Sequence, residues 1–75
     1  MMTREEMRAD LARAMRMDPA EIGDDDNLMD LGLDSMRVMD LLLRWEAAGL
    51  KTDFSRFFEA ATFDEWWRAA GGQPA

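Results

Sequence analysis

The chain contains no cysteine and no histidine. Without cysteine there is no disulfide scaffold and no zinc site built on thiolates. Any thiol chemistry has to come from a cofactor. Without histidine the usual general base is missing, and the usual strong nucleophile is missing with cysteine. No apolar run approaches the roughly 20 residues of a membrane-spanning helix. The segment Met1-Met2-Thr3-Arg4-Glu5-Glu6 has no apolar signal core, so the expected address is the cytoplasm. Basic residues are also in deficit. Nine Lys and Arg stand against 16 Asp and Glu, a formal charge of −7 at pH 7. Nucleic acid and anionic membranes attract basic surfaces, so both are poor partners. The charge favours basic protein partners instead.

What is present is a heavy apolar load in a short chain. At 75 residues this is one small domain, of a size that buries only about 60% of its unfolded surface. One thin core fits, without an enclosed active-site cavity. Hydrophobic residues make up 48%, with three Trp, four Phe and eight Met. Aromatic side chains bury the most area per residue and so offset the small core. A single domain over 1–75 is expected, with its core at about 3–70 and a short tail, Gly71-Gly72-Gln73-Pro74-Ala75. The Met1 start and that tail lead us to expect a free-standing protein, although an excised domain would look similar; a monomer is expected.

Thr3 followed by Glu6 is a capping box. Behind it Met7, Leu11 and Met15 recur at helical spacing, with Ala12 and Ala14 filling in. This predicts a first helix over about 4–16. Pro19 is expected to end it, because the residue before a proline avoids the helical region. A long loop follows, from Met17 to Leu33. Loops beyond about 12–15 residues are uncommon in compact domains and are often functional. Ile22, Leu28 and Leu31 are its apolar anchors. Asp18-Pro19-Ala20-Glu21 suits one helical turn, and Asp24-Asp25-Asp26-Asn27 is an acidic turn.

Asp34 is a good N-cap for a second helix and places Ser35 in its first turn. Met36, Met39 and Leu43 form one stripe, and Val38, Leu42 and Trp45 another. The combined arc is wide, which predicts a central helix touching several neighbours. Gly49 ends it, with Leu50 as the hydrophobic contact of a Schellman-type stop. Thr52 or Asp53 caps a short third helix, Phe54 to about Ala60, with Phe57 expected to be buried. Thr62 and Glu65 make a second capping box. The fourth helix runs from Phe63 to about Ala70, with Gly71-Gly72 beyond it. Trp66 is assigned to its core face and Trp67, about 100° further round, to a more exposed position. No window alternates as a strand does. The expected fold class is all-α: a small four-helix bundle, three longer helices and a short third one, with a long loop between the first two.

Ser35 is the most informative residue. In Asp30-Leu31-Gly32-Leu33-Asp34-Ser35-Met36 it stands at the mouth of an apolar helix without a catalytic partner. A serine presented this way suits attachment better than catalysis, and a hydrolase would need a base the chain does not offer. The acidic turn fails as a calcium loop. Such a loop needs oxygen ligands at alternating positions, and Leu28 falls where one is required. It reads as a solvated, solubilising turn, with partner steering second. No metal site is expected.

The run Asn27-Leu28-Met29-Asp30-Leu31-Gly32-Leu33-Asp34-Ser35-Met36, the long first loop and Thr62-Phe63 opening the last helix carry a resemblance. The chain resembles the acyl and peptidyl carrier protein family. Within it, the chain is most similar to the aryl carrier domains of siderophore-type nonribosomal peptide synthesis. That similarity lies in Gly32-Leu33-Asp34-Ser35-Met36-Arg37, Arg44-Trp45, Asp53-Phe54 and Thr62-Phe63-Asp64-Glu65-Trp66-Trp67, and covers nearly the whole chain. The Gly-x-Asp-Ser core alone is short enough to recur by chance. Its place before a helix, with the double Trp downstream, makes it specific. Many carriers have Leu after the serine where this chain has Met36. The swap keeps volume and apolar character, so it bears on partner fit more than on attachment.

The resemblance implies a non-catalytic carrier. Ser35 would bear 4′-phosphopantetheine, added by a phosphopantetheinyl transferase. The arm would hold an aryl acid as a thioester, between an aryl-acid adenylating enzyme and a condensation domain or other acyl-transfer enzyme. An aminoacyl or fatty acyl cargo is the alternative, and an unmodified helical interaction module a further one. A phosphodiester suits the unpaired N–H groups and positive end of a helix. Asp34 is the complication, because its carboxylate sits beside the new phosphate. Two roles are expected of it at different times: capping the helix, and holding a divalent metal or basic group of the transferase. The second and third helices face the partner enzymes in such carriers. Met36, Met39, Phe54 and Phe58 are therefore the expected docking residues, Met39 and Phe54 foremost. Helical Met stripes are usually core, but Met adapts to several partners, so at least one of Met36 and Met39 is expected to be partly exposed.

Overall fold

Local capping signals lay out four helices before any packing is considered. The computed structural model describes residues 2–51 and 53–71. Thr52 and the tail from Gly72 to Ala75 lie outside the described residues. Helix α1 spans Arg4–Met15. Thr3 Oγ1 accepts the Glu6 N–H at 3.1 Å, and Glu6 Oε1 accepts the Thr3 N–H at 2.9 Å, completing the capping box. Met7, Leu11 and Ala12 form its buried face.

The end of α1 departs from the expectation drawn from Pro19. The helix stops at Arg16, in the left-handed region at φ 55° and ψ 48°. The Met17 N–H donates to the Ala12 carbonyl at 2.9 Å and the Arg16 N–H to the Arg13 carbonyl at 3.2 Å. This is a Schellman stop made with arginine where glycine is usual. The left-handed conformation costs an L-residue about 1–2 kcal/mol. Pro19 instead opens a 3₁₀ turn, Pro19–Glu21, capped by Asp18. Proline's fixed φ suits that first position.

The long loop is tied down at both ends. Ile22, Leu28 and Leu33 are buried and Leu31 is half-buried. Arg8 donates to the Ile22 carbonyl and pairs with Asp24 at 2.8 Å. Arg4 reaches Asp24 at 3.2 Å and Asp64 at 3.3 Å. Both guanidinium groups lie over the Phe63 ring, at 5.1 and 4.2 Å from its centroid, close enough for cation–π attraction. The acidic turn is thus more than a solvated decoration. Its Asp24 holds the loop to α1, and its backbone accepts the Asp64 N–H at 3.0 Å.

Three carboxylates are held below their ordinary range. Asp24 is lowered first by its hydrogen bond from Arg8. Glu6 and Glu65 are lowered first by the backbone N–H groups of Thr3 and Thr62. A depressed folded pKa stabilises the fold above the unfolded value, and that stabilisation is lost as pH falls through the folded value. Urea unfolding should therefore show stability steady near neutrality and falling below about pH 4. Asp24→Asn should be less stable than wild type at pH 7 and should lose less on acidification. Equal acid loss in both proteins would remove Asp24 from the account.

Helix α2 spans Ser35–Ala47 and buries Val38, Leu41, Leu42 and Trp45. Its apolar arc is split between two environments. The Met36, Met39 and Leu43 stripe faces outward, with exposures of 84%, 40% and 51%. Gly49, at φ 104°, makes the expected stop. The Leu50 N–H donates to the Trp45 carbonyl at 2.9 Å and the Gly49 N–H to the Glu46 carbonyl at 3.0 Å. Helix α3, Phe54–Glu59, is capped by Asp53 and buries Phe57. Helix α4, Phe63–Ala69, starts from the Thr62–Glu65 capping box and buries Phe63 and Trp66.

Three aromatic rings form the centre of the bundle. Trp66 meets Phe57 at 5.0 Å and Trp45 at 5.9 Å between centroids, both edge to face. Trp45 and Phe57 are 6.1 Å apart. Each indole N–H finds an acceptor: Trp45 at Asp10 Oδ2, 2.8 Å, and Trp66 at the Ala60 carbonyl, 3.3 Å. Trp67 is half-buried against this core. Among the described residues the only strand-like feature is an isolated bridge, Asn27 to Thr62. It fastens the segment before α2 to the start of α4.

Candidate attachment site

The segment leading to Ser35 is a tight turn closed by its own backbone. Asn27 Oδ1 accepts the N–H groups of Met29 at 2.9 Å and Asp30 at 3.2 Å. The Leu33 N–H returns to the Leu28 carbonyl at 3.0 Å. Gly32 completes the turn at φ 117°, a conformation side-chain-bearing residues rarely adopt. Leu28 and Leu33 sink into the core on either side. With Leu33 anchored below and Val38 buried one turn on, Asp34 and Ser35 are left at the surface.

Asp34 caps α2, its Oδ1 accepting the Arg37 N–H at 2.8 Å. Ser35 is the first helical residue and is exposed. Among the described residues its hydroxyl enters no hydrogen bond. The expected capping role of Asp34 is present. Arg37 is the residue that sequence reasoning passed over. Its Nη1 donates to Asp34 Oδ2 at 3.0 Å and to the Gly32 carbonyl at 3.2 Å. The carboxylate beside Ser35 is therefore already neutralised. The Asp-x-x-Arg spacing, three apart on a helix, was the available signal. Both partners are about half exposed, with side chains at 46% and 56%, so the pair is worth at most about 1 kcal/mol and exchanges readily.

The residues expected for docking fall in two groups. Met36, Met39 and Phe58 are exposed, Phe58 at 42%. Phe54 is half-buried and packs against the core. Leu43 continues the Met36 and Met39 stripe, and Met29, 44% exposed, adds a further apolar side chain on the loop.

The chemistry open to this arrangement is narrow. No histidine can take the hydroxyl proton, and both oxygens of the adjacent Asp34 are engaged by Arg37. Among the described residues no cluster of acids is placed to hold a metal. No described helix is long and apolar enough to cross a membrane. An accessible hydroxyl at the positive end of a helix, with its neighbouring charge offset, fits a phosphodiester well.

Comparison with known proteins bears on the family of the chain. The acyl carrier protein ScoB of Streptomyces coeruleorubidus is 36% identical over 67 residues, 89% of this chain and 79% of that protein. Enterobactin synthase component B of Escherichia coli (strain K12) is 47% identical over 45 residues, 60% of this chain and 16% of that protein. Phenyloxazoline synthase MbtB of Mycolicibacterium paratuberculosis is 34% identical over 62 residues, 83% of this chain and 5% of that protein. The chain thus spans most of the first relative and a small part of the other two. No solved structure gives a significant match. The family described as phosphopantetheine attachment site matches residues 5–69. That match runs from the first turn of α1 to the last residue of α4, so it takes in the whole bundle, and the chain belongs to the phosphopantetheine-binding carrier domains.

Proposed function

We propose that Ser35 bears the 4′-phosphopantetheine arm, and that the chain carries an aryl acid from an aryl-acid adenylating enzyme to a condensation domain or other acyl-transfer enzyme. One observation carries this reading. The Ser35 hydroxyl is exposed at the start of α2 and, among the described residues, unbonded, in a family defined by phosphopantetheine attachment. Attachment forms the Ser35 Oγ–P bond as the pyrophosphate P–O bond of coenzyme A breaks and adenosine 3′,5′-bisphosphate leaves. The transferase takes the hydroxyl proton. Once bound, the arm supplies the thiol this chain lacks and holds the acid as a thioester. The domain itself contributes tethering, which raises effective concentration. In this reading it works as a cytoplasmic monomer and leaves the chemistry to its partners.

The aryl cargo is supported by two relatives, an enterobactin synthase component and a phenyloxazoline synthase. The acyl carrier protein relative supports a second reading, an aminoacyl or fatty acyl cargo. Incubation with coenzyme A, magnesium and a broad-specificity phosphopantetheinyl transferase, followed by intact mass, tests the carrier role. One arm gained is the expected result. No gain would leave an unmodified interaction module. Loading of the modified protein by aryl-acid, amino-acid and fatty-acid activating enzymes then decides the cargo.

Met36, Met39, Phe54 and Phe58 form the proposed docking face for these enzymes. Met39→Ala and Phe58→Ala should each fold normally and accept the arm, yet slow the downstream transfer by about tenfold, the size of a modest interface hot spot. Phe54→Ala should also lower stability, because its ring packs partly on the core. Thermal unfolding beside transfer kinetics checks both. A Met39 or Phe58 variant that unfolds would assign that residue to the core.

A further inference from the structure

We propose that the cleft between α1 and α2 is a docking site for an acidic segment of a partner protein, separate from the Met36 and Met39 face. The cleft has a volume of about 420 Å³ and is walled by Arg13, Arg16, Arg37 and Arg44. These are four of the nine basic residues in a chain of net charge −7. Only two acids, Asp10 and Asp40, share the cleft with them. Net charge favours basic partners, but this trough has the opposite local sign. Its floor is apolar, with Leu41 and Trp45.

The arginines are available to a partner. Arg13, Arg37 and Arg44 pair with Asp10, Asp34 and Asp40 at 3.4, 3.0 and 3.3 Å, with 73%, 46% and 68% of their own side chains exposed. Such pairs are weak and screened, so an incoming carboxylate can replace the resident one. Arg16 has no ion-pair partner among the described residues. It also occupies the left-handed stop of α1, where glycine would sit without strain. Strain retained at one position is characteristic of sites with a use beyond stability.

The shape selects the occupant. The cleft adjoins a second hollow of about 870 Å³ that shares Asp10, Arg13, Arg44 and Trp45 and adds one acid, Glu6, and one further cation, Lys51. A continuous trough along two helices suits a peptide segment. Small ligands are usually enclosed over 70–90% of their surface. A polynucleotide would extend past the trough onto acidic surface, at an electrostatic cost. A short acidic segment with apolar residues between its carboxylates matches both walls and floor.

The site does not depend on the arm, so the test uses the unmodified full chain. The probe is an amphipathic helical peptide of about 12 residues, with Leu at i, i+3, i+4 and i+7 and Glu on the flanking positions, matched to the length of the 12-residue α1, about 18 Å. Amide NMR titration should show saturable shifts along the trough. Raising salt from about 0.05 to 0.5 M should weaken binding roughly tenfold, through screening of exposed charges. Arg16→Gln and Arg44→Gln should each weaken it at least about threefold, while Arg56→Gln on α3 should leave it unchanged. Arg16→Gly should melt higher than wild type and yet bind more weakly, a combination that a purely structural arginine would not show. The proposal is overturned by equal binding of the Gln-for-Glu peptide, by equal loss in Arg56→Gln, by absence of saturable shifts, or by self-association through the trough.

Discussion

Ser35→Ala is expected to gain no mass with coenzyme A, magnesium and the transferase, under conditions that convert the wild-type chain completely. The effect is total because the phosphodiester needs a hydroxyl oxygen. The fold should be untouched. Ser35 is exposed at the first position of α2, alanine is a good helix former, and Asp34 still caps through the Arg37 N–H. Surface changes of this kind usually stay within about 0.5 kcal/mol, so circular dichroism and melting curves should superimpose on wild type. The chain has one other serine, Ser55, exposed in the first turn of α3. Ser55→Ala should accept the arm normally. The reverse pattern, with Ser35→Ala modified and Ser55→Ala not, would move the attachment point and the proposed function with it.

Trp66→Ala should remove a large share of the domain's stability. Trp66 is 1% exposed and touches both other rings of the core edge to face. Truncating a buried Trp costs about 3–5 kcal/mol. At about 0.05–0.15 kcal/mol per residue, a domain of this length has roughly 4–11 kcal/mol in total. The substitution removes a large share of that. Urea unfolding followed by far-UV circular dichroism should show a midpoint well below that of wild type. Trp67→Ala, on a half-buried neighbour, should cost distinctly less. If Trp66→Ala melted within a few degrees of wild type, the ring cluster would not be the centre of stability.

The four helices and most of their ends were legible in the sequence. The Thr3–Glu6 and Thr62–Glu65 boxes, the Asp34 cap and the Gly49–Leu50 stop each close through hydrogen bonds spanning no more than five residues. Local bonds of that kind are fixed by residue type at short spacing. Ser35 at the mouth of α2 was legible for the same reason. The Arg16 stop was not, because a left-handed arginine follows no residue preference. The Asp34–Arg37 pair is also local, three residues apart, but spacing alone does not say which of several exposed charges a flexible arginine meets.

Other features depend on residues far apart in the chain. Whether the Met36, Met39 and Leu43 side of α2 or the Val38 and Trp45 side would be buried was not settled by a wide apolar arc. It was decided by where α1 and α4 pack. Asp24 looked like a solvent-facing acid until Arg4 and Arg8, 20 and 16 residues before it, were brought to it. The basic trough exists only because α1 and α2 lie side by side, gathering arginines from both. The sequence by itself determined the helices, their caps and the exposed serine, since each rests on short-range hydrogen bonding and periodicity. The tertiary structure alone decided which apolar stripe is a surface, which acid is a tie and where positive charge collects, since these follow from contacts between segments that periodicity does not bring together.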